Sequence, residues 1–580
     1  MRFGVFELAQ PTGELRRDGA SVNLQEQPLQ VLRALIEEPG RIVTREELRQ
    51  KIWPANTFVD FDHGINNAIK RLREALEDTA AAPRYIETLP RRGYRFVGKI
   101  ERETPRMRAL AVLPLVNLSP DAEQEYFAEG LTDALITTLA KIGQLRVVSR
   151  TSSMLYKSRN KPLREIAREL AVDAFIEGTM LRAGPRVRIT AQLIDVRNEE
   201  KLVWAENYER GLGDVLALQA DVASAIAREV HVKLTPQETA RLYHSHTVEP
   251  AAYEAYLKGR YHWIRRSREG HERAVQYFEQ AILIDPEYAA AYSGLADAVS
   301  IMGLWGLLTP QEACGKAKEL ARTALEIDVS LAEAHTSLAW ATFHYDWAFA
   351  DSESEFERAL ELDPRSGAGH HWFGMALGMM GRYEEAYTEI RRAIRLDPHR
   401  SLMHFGMAFI SWCGRRYDQA IDAAREALEL DPYAAQAYVW LGLTYVAKSM
   451  FEPALDALQK AANLSGRAPV AVACLGEAYA AVGDEVQARR ILEELTGQQH
   501  VTAYFVSRVW SALGIREEAF RWLEIGFEQR AEWMALLSVD PRFDALRDHP
   551  RFQELMRRLT KGQDLSRSLS FSATPAKVAV

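Results

Sequence analysis

Apolar residues recur at Ile65, Ala68, Ile69, Leu72 and Leu76, the spacing i, i+3, i+4, i+7 and i+11. This predicts a helix from about His63 to Leu76 with one stripe against a core. The opposite face carries His63, Asn67, Lys70, Arg71 and Glu74, with Asn66 and Arg73 on the flanks. Beyond Ala82-Pro83, Tyr85–Thr88 and Tyr94–Phe96 have strand composition, and Pro90, Arg91, Arg92 and Gly93 form the turn between them. Upstream, Arg2–Leu8 alternates apolar and polar residues and reads as one half-buried strand. Leu15–Arg17 and Ser21–Leu24 continue the pattern around an Asp18-Gly19 turn. Glu26–Glu37 predicts a first helix, ended by Pro39-Gly40. Thr44 and Glu47 form a capping box that opens a second helix, with Leu48, Ile52 and Trp53 toward the core.

The pattern changes after this region. Ala109–Leu115 is almost continuously apolar, as a strand buried on both faces should be. A helix over 123–142, a short strand at 146–149 and a helix opened by Pro162 follow. Paired strands over 174–181 and 187–196 flank Ala183-Gly184-Pro185; a further strand spans 201–208 and a long amphipathic helix 214–234. Helices and strands in this order predict a compact α/β domain. From Pro250 the sequence is periodic: Leu-Asp-Pro ends helices at Pro364, Pro398 and Pro432, each 34 residues after the last, with Ile-Asp-Pro at Pro286. Thirty-four is the tetratricopeptide period, so an all-α superhelix of helix pairs is expected, seven or eight in number. A capping helix should close it near Leu559, and the small-residue tail over 562–580 reads as disordered. His335, His370, His371, Trp372, His404, Tyr438 and Trp440 fall on first helices of these pairs. They are candidates for a peptide groove, although ordinary packing between repeats is the favoured reading of each.

Composition narrows the functional classes. The chain is 47% hydrophobic and 26% charged with a net charge of −8, which argues against a general polyanion binder. Between His63 and Gly98, however, seven Lys and Arg face four Asp and Glu, a local +3. Cys314, Cys413 and Cys474 lack any metal-ligand or redox spacing, so reduced thiols are expected. No signal-peptide core and no apolar run of the roughly 20 residues that span a bilayer occur, which points to a soluble, cytoplasmic protein without membrane contact. No HExxH, GxSxG, Walker or Rossmann motif is present. The acidic run Asp121, Glu123 and Glu125 reads as a solvated helix start. Hence no enzyme activity, catalytic residue, cofactor or metal is expected.

Several signatures sit in order over the first hundred residues: VTREEL at Val43–Leu48, Trp53-Pro54, a helix ending Lys70-Arg71-Leu72-Arg73, and YIET followed by RGYRF. Together they resemble an OmpR/PhoB-type winged-helix domain. The resemblance implies that the third helix enters a DNA major groove while the hairpin reaches the adjacent minor groove or backbone. It places Asn67, Lys70 and Arg71 at the groove, Asn66 and Arg73 at phosphates or base edges, and Arg91, Arg92 and Tyr94 in the wing. Relatives often carry a receiver domain before the winged helix or a membrane helix after it. Here the winged helix starts at Met1 and Lys99–Arg108 is short and charged, so a one-component regulator is expected. VLPLVNLSPDAEQEYFAEGLTDALITTLA, RVVSRTSS, DAFIEGTM and VRITAQLID resemble the TolB amino-terminal-like (FlgO-like) domain, which implies a fold more than an activity.

The expected plan is a winged helix over 1–100, a linker over 101–107, the α/β domain over 108–235, repeats over 250–560 and the tail over 562–580. The expected function is a DNA-binding transcriptional regulator whose downstream regions sense a signal or bind a protein. Double-stranded DNA, a protein or peptide in the repeat groove, and self-association on tandem half-sites are the expected partners. The alternative is a tetratricopeptide scaffold whose winged helix makes protein contacts; the Arg91-Arg92 wing argues against it. An accessory subunit of a signalling enzyme is a weaker third reading.

Overall fold

The computed structural model describes residues 2–560, apart from 9–13, 18–19, 54–59, 102–106, 120–123, 159–160, 185, 198, 212–213, 233, 237, 240–247, 265–266 and 499. The Asp18-Gly19 turn, Pro54, linker residues 102–106, Asp121, Glu123, Pro185 and the 562–580 tail therefore lie outside the described residues. The chain forms two compact units, Met1–Arg106 and Met107–Val580.

In the first unit, β1 (Arg2–Phe3), β2 (Phe6–Leu8), β3 (Leu15–Arg17) and β4 (Ala20–Ser21) precede α1 (Glu26–Glu37). The sequence pattern predicted one strand over Arg2–Leu8; the structure has a hairpin there, with Phe3 paired to Phe6. Gly4 is the cause: at φ +58 it occupies the first central position of a two-residue turn, which side-chain-bearing residues resist. Phe3, Phe6 and Leu8 are all buried while Val5 is 47% exposed, whereas a straight strand would put Phe3 with Val5 on the face opposite Phe6 and Leu8. β5 (Ile42–Val43), α2 (Arg45–Ile52), α3 (Phe61–Leu76), β6 (Ile86–Leu89), β7 (Gly93–Phe96) and β8 (Ile100–Glu101) complete the unit. The first sheet runs β4-β3-β2-β1-β8 and the second β5-β7-β6, so Ile100–Glu101, read as the edge of a linker, adds a strand beside β1. Thr44 caps α2 through the reciprocal bond with Glu47. Asp60 accepts from the His63 N–H at 3.1 Å and starts α3 two residues before the pattern indicated. All five residues of the apolar stripe on α3 are buried.

The second unit begins with a six-stranded sheet. Its order is β11 (Arg146–Val147), β9 (Ala109–Val112), β12 (Ala174–Ala183), β13 (Arg186–Asp195) and β14 (Lys201–Gly211), with β10 (Val116–Asn117) also pairing to β12. Leu110 and Val112 pack with α4 (Glu125–Ala140) and α6 (Val215–Glu229) on one face. Ala109, Ala111 and Leu113 pack with α5 (Leu163–Leu170) on the other, which is why this strand is apolar at every position.

Eight described helix pairs follow, from Pro250–Ile264 with Arg268–Ile284 to Ala503–Ala512 with Arg516–Glu528. The Leu-Asp-Pro sequences at Pro364 and Pro432 end their helices by the same chemistry. The N–H of Asp363 still bonds Ala359, its carboxylate accepts from the Arg365 N–H at 3.0 Å, and Pro364 between them cannot continue the helix. Small residues permit close helix approach: a Cβ on Gly442 would meet Leu458 at 2.5 Å. The first pair is fastened to β12 and α4, with Glu254 accepting from Arg182 at 2.7 Å and Tyr126 at 2.6 Å, and Arg260 bonding Asp133 at 3.0 Å. No helix of the described residues is long and apolar enough to cross a membrane.

Candidate nucleic-acid interface

The exposed side of α3 and the β6–β7 hairpin flank one cleft, lined by Asn66, Lys70, Arg73, Thr88 and Tyr94 together with Arg45 of α2. Two clamps set the angle between helix and hairpin. Asp78, just past the left-handed end of α3 at Glu77, accepts the N–H groups of Thr79, Arg84, Tyr85 and Ile86 at 2.7–3.1 Å. Burial pushes its carboxyl up, but the bonds from Arg84, Ile86, Tyr85 and Thr79 outweigh that and hold it below the ordinary carboxylate value. Arg73 forms the second clamp, donating to the Ile86 carbonyl at 2.7 Å and to Thr88 Oγ1 at 2.8 Å.

Arg45, which the sequence reading did not single out, joins three elements. It donates to Asp62 and Asn66 at 2.9 Å and to the Tyr94 hydroxyl at 3.0 Å, and its guanidinium lies 5.4 Å from the Tyr94 ring centroid. Tyr94 OH in turn donates to Asn66 Oδ1 at 2.9 Å. Asn66 thus spends its acceptor inside the protein and keeps only N–H donors for a ligand. The Tyr94 ring is buried, and that burial raises its hydroxyl above the ordinary value, so it is a neutral donor at physiological pH.

The eight residues predicted at the interface therefore separate into two sets. Asn67, Lys70, Arg91 and Arg92 are exposed. Lys70 has only a 4.0 Å pairing with Glu74, weak at this exposure. Arg71 is exposed and donates to Gln25, the residue before α1. Arg91 sits at the hairpin tip with φ +62, and the Arg92 N–H closes the turn on the Leu89 carbonyl at 3.0 Å. Asn66, Arg73 and Tyr94 instead stitch α2, α3 and the hairpin together. Arg45 could have been suspected from its place after the Thr44 cap, but its partners lie 17, 21 and 49 residues away.

The aromatic and histidine positions of the repeats resolve differently. His335, His370 and His404 each bridge one carboxylate and one carbonyl: Glu355 and Val329, Glu389 and Pro364, Glu426 and Pro398. Each brace ties the two helices of a pair to the turn before them. Tyr438, 34 residues after His404, stands at the equivalent place and instead lies beside Lys460. His371 and Trp440 are buried.

Three stretches match family models: residues 19–96 the C-terminal domain of transcriptional regulatory proteins, 106–225 the second domain of HilA/YgeH-like transcriptional regulators, and 369–400 a tetratricopeptide repeat. The chain is 24% identical over 386 residues to the transcriptional regulator HilA of Salmonella typhi, covering 64% of this chain and 66% of that one. It is 32% identical over 315 residues to a protein of Rhizobium meliloti (strain 1021) named putative adenylate cyclase 3, covering 53% of this chain and 51% of that one. The chain thus spans between half and two thirds of the length of these relatives. Among solved structures, yeast Tom70 aligns over 60% of this chain and 82% of its own at 13% identity, with a TM-score of 0.35.

Proposed function

We propose that the chain is a DNA-binding transcriptional regulator in which the first unit reads DNA and the α/β and repeat regions sense a signal or bind a protein partner. The observation that supports this is the cleft between α3 and the hairpin, lined by Lys70 with Asn66 and Arg73, together with the exposure of Asn67 and Arg71 on the same helix and of Arg91 and Arg92 on the hairpin. Amide and cationic groups on a helix face read base edges, and a basic hairpin tip grips phosphates. The match over residues 19–96 to a transcriptional regulatory domain supports the same reading. Asn67, Lys70 and Arg71 take the groove, and Arg91 and Arg92 the flanking backbone. Asn66, Arg73 and Tyr94 act mainly by fixing the helix–wing angle, with the Asn66 amide N–H left to reach a phosphate. The division into winged helix (1–100), α/β domain (108–235) and repeats (250–560) is the functional plan we adopt. The likeness of the middle region to TolB amino-terminal-like domains is taken as one of fold. Two copies on tandem half-sites is the expected stoichiometry, read by ultracentrifugation with the selected duplex.

The test is binding-site selection from random duplexes by the full chain, then anisotropy titrations from 50 to 200 mM salt. Arg92→Ala should weaken selected and scrambled duplexes alike and flatten the log–log salt dependence by about 0.9, one phosphate contact, which is roughly a 3.5-fold difference across that range. Lys70→Ala or Asn67→Ala should also change the selected sequence. Failure of the full chain to enrich any sequence, with salt-independent binding, would leave the scaffold reading in its place.

A further inference from the structure

The repeat superhelix closes on itself around an aromatic chamber. Trp533, in the segment after the last helix pair, donates its indole N–H to the Leu304 carbonyl at 2.8 Å, and the Val470 N–H reaches the Trp305 carbonyl at 3.4 Å. His344 Nδ1 lies 3.0 Å from the Glu532 carbonyl. Within this closure, Trp305, Trp340, Trp372, Phe405, Trp440 and Trp533 wall one cavity, so five of the chain's 12 tryptophans converge on it. Its volume is about 80 Å³, on the measure by which one water needs roughly 10–15 Å³. That is the bulk of about one ring, too little for a peptide chain.

The lining carries no Asp, Glu, Lys or Arg among the described residues. An anion entering would lose its hydration without a counter-charge, and a quaternary ammonium, although ring faces attract it, has no group to pair with Gln436. Besides the tryptophan N–H groups, of which Trp340 Nε1 is buried without a hydrogen-bond partner, the polar lining is Gln436 and His271, and the half-buried Gln436 amide makes no hydrogen bond within the described protein. Apolar walls with one free amide fit an uncharged molecule that has an apolar body and one polar group. We propose that this chamber binds a neutral small aromatic molecule whose amide-like or carbonyl group pairs with Gln436. The site belongs wholly to the second unit, and the inference does not depend on DNA binding.

Calorimetric titration of the full chain with benzamide, benzoate, benzyltrimethylammonium and toluene tests it. Benzamide should bind saturably, one per chain, with Kd below about 1 mM, a reasonable value for so small a ligand. Benzoate and benzyltrimethylammonium should bind at least tenfold more weakly. Gln436→Leu, which keeps the bulk and removes the amide, should weaken benzamide at least tenfold and leave toluene binding within twofold, so that lost folding is distinguishable from a lost hydrogen bond. The proposal is overturned if benzamide does not saturate, if the ammonium probe binds as tightly, if Gln436→Leu leaves benzamide unchanged, or if that variant loses toluene too.

Discussion

Glu532 offers the sharpest thermodynamic test of the closure. Its carboxyl is buried against Gly303, where a Cβ would come within 2.7 Å of Oε1, and that oxygen has no hydrogen-bond partner. Burial pushes its pKa from 4.5 to about 7. Between those values the folded protein holds a proton that the unfolded chain has released, so stability falls as pH rises from 4.5 through 7. At about 1.4 kcal/mol per pH unit, this is worth on the order of 3 kcal/mol. His344, buried beside it, is pushed from 6.5 down to about 4, so its contribution is lost as pH falls through the range 6.5 to 4. The two slopes are opposite and nearly coextensive, so in the unmodified protein these two groups together add little net pH dependence across them. Glu532→Gln removes one slope and should expose the other, a loss on the order of 3 kcal/mol on acidification from pH 7 to 4, with a gain of similar size at pH 8. Urea denaturation of the full chain, followed by tryptophan fluorescence at half-unit pH steps, reads both. A variant with the same pH profile as the parent, or one less stable at pH 8, would refute the reasoning.

Two further outcomes concern the winged unit. Gly93→Ala should destabilise it by on the order of 3 kcal/mol or more, because a Cβ there would sit 2.1 Å from the Val43 carbonyl and the backbone has φ +146; circular-dichroism melting reads the loss, and an unchanged midpoint would contradict the geometry. Asp78→Ala orphans four N–H groups and should cost on the order of 3 kcal/mol at pH 7. Since the folded carboxyl lies below 3.8, the parent should lose this contribution only as pH falls below about 4, and the variant should lack that acid step, as amide exchange at Tyr85 and Ile86 would report.

What the sequence disclosed was local and periodic. The α3 stripe, the Thr44–Glu47 capping box and the Leu-Asp-Pro turns are written in neighbouring residues, and each formed as its spacing required. The hairpin at Gly4 was masked because its turn residues also fit an alternating strand, and only a positive φ distinguishes the two. Of the interface residues, types and approximate face were readable. Which of them the protein consumes internally was not, since Asn66 meets Arg45 and Tyr94 only after α2, α3 and β7 assemble. The histidine braces left a periodic trace, 34 residues from His370 to His404. Their carboxylate partners, about twenty residues on, could be chosen only once the helix pairs were seen to pack.

The closed repeat array has a consequence for how the chain is made. A linear stack of helix pairs can fold from its first repeat onward, each new pair completing the last. Here the pair that ends in Ile327 is bonded through Leu304 to Trp533. It therefore leaves the ribosome long before the residue that completes it. Until that late segment arrives, the tryptophan-rich inner wall is an exposed apolar surface, and the earliest repeats are the ones that wait longest for their final contacts.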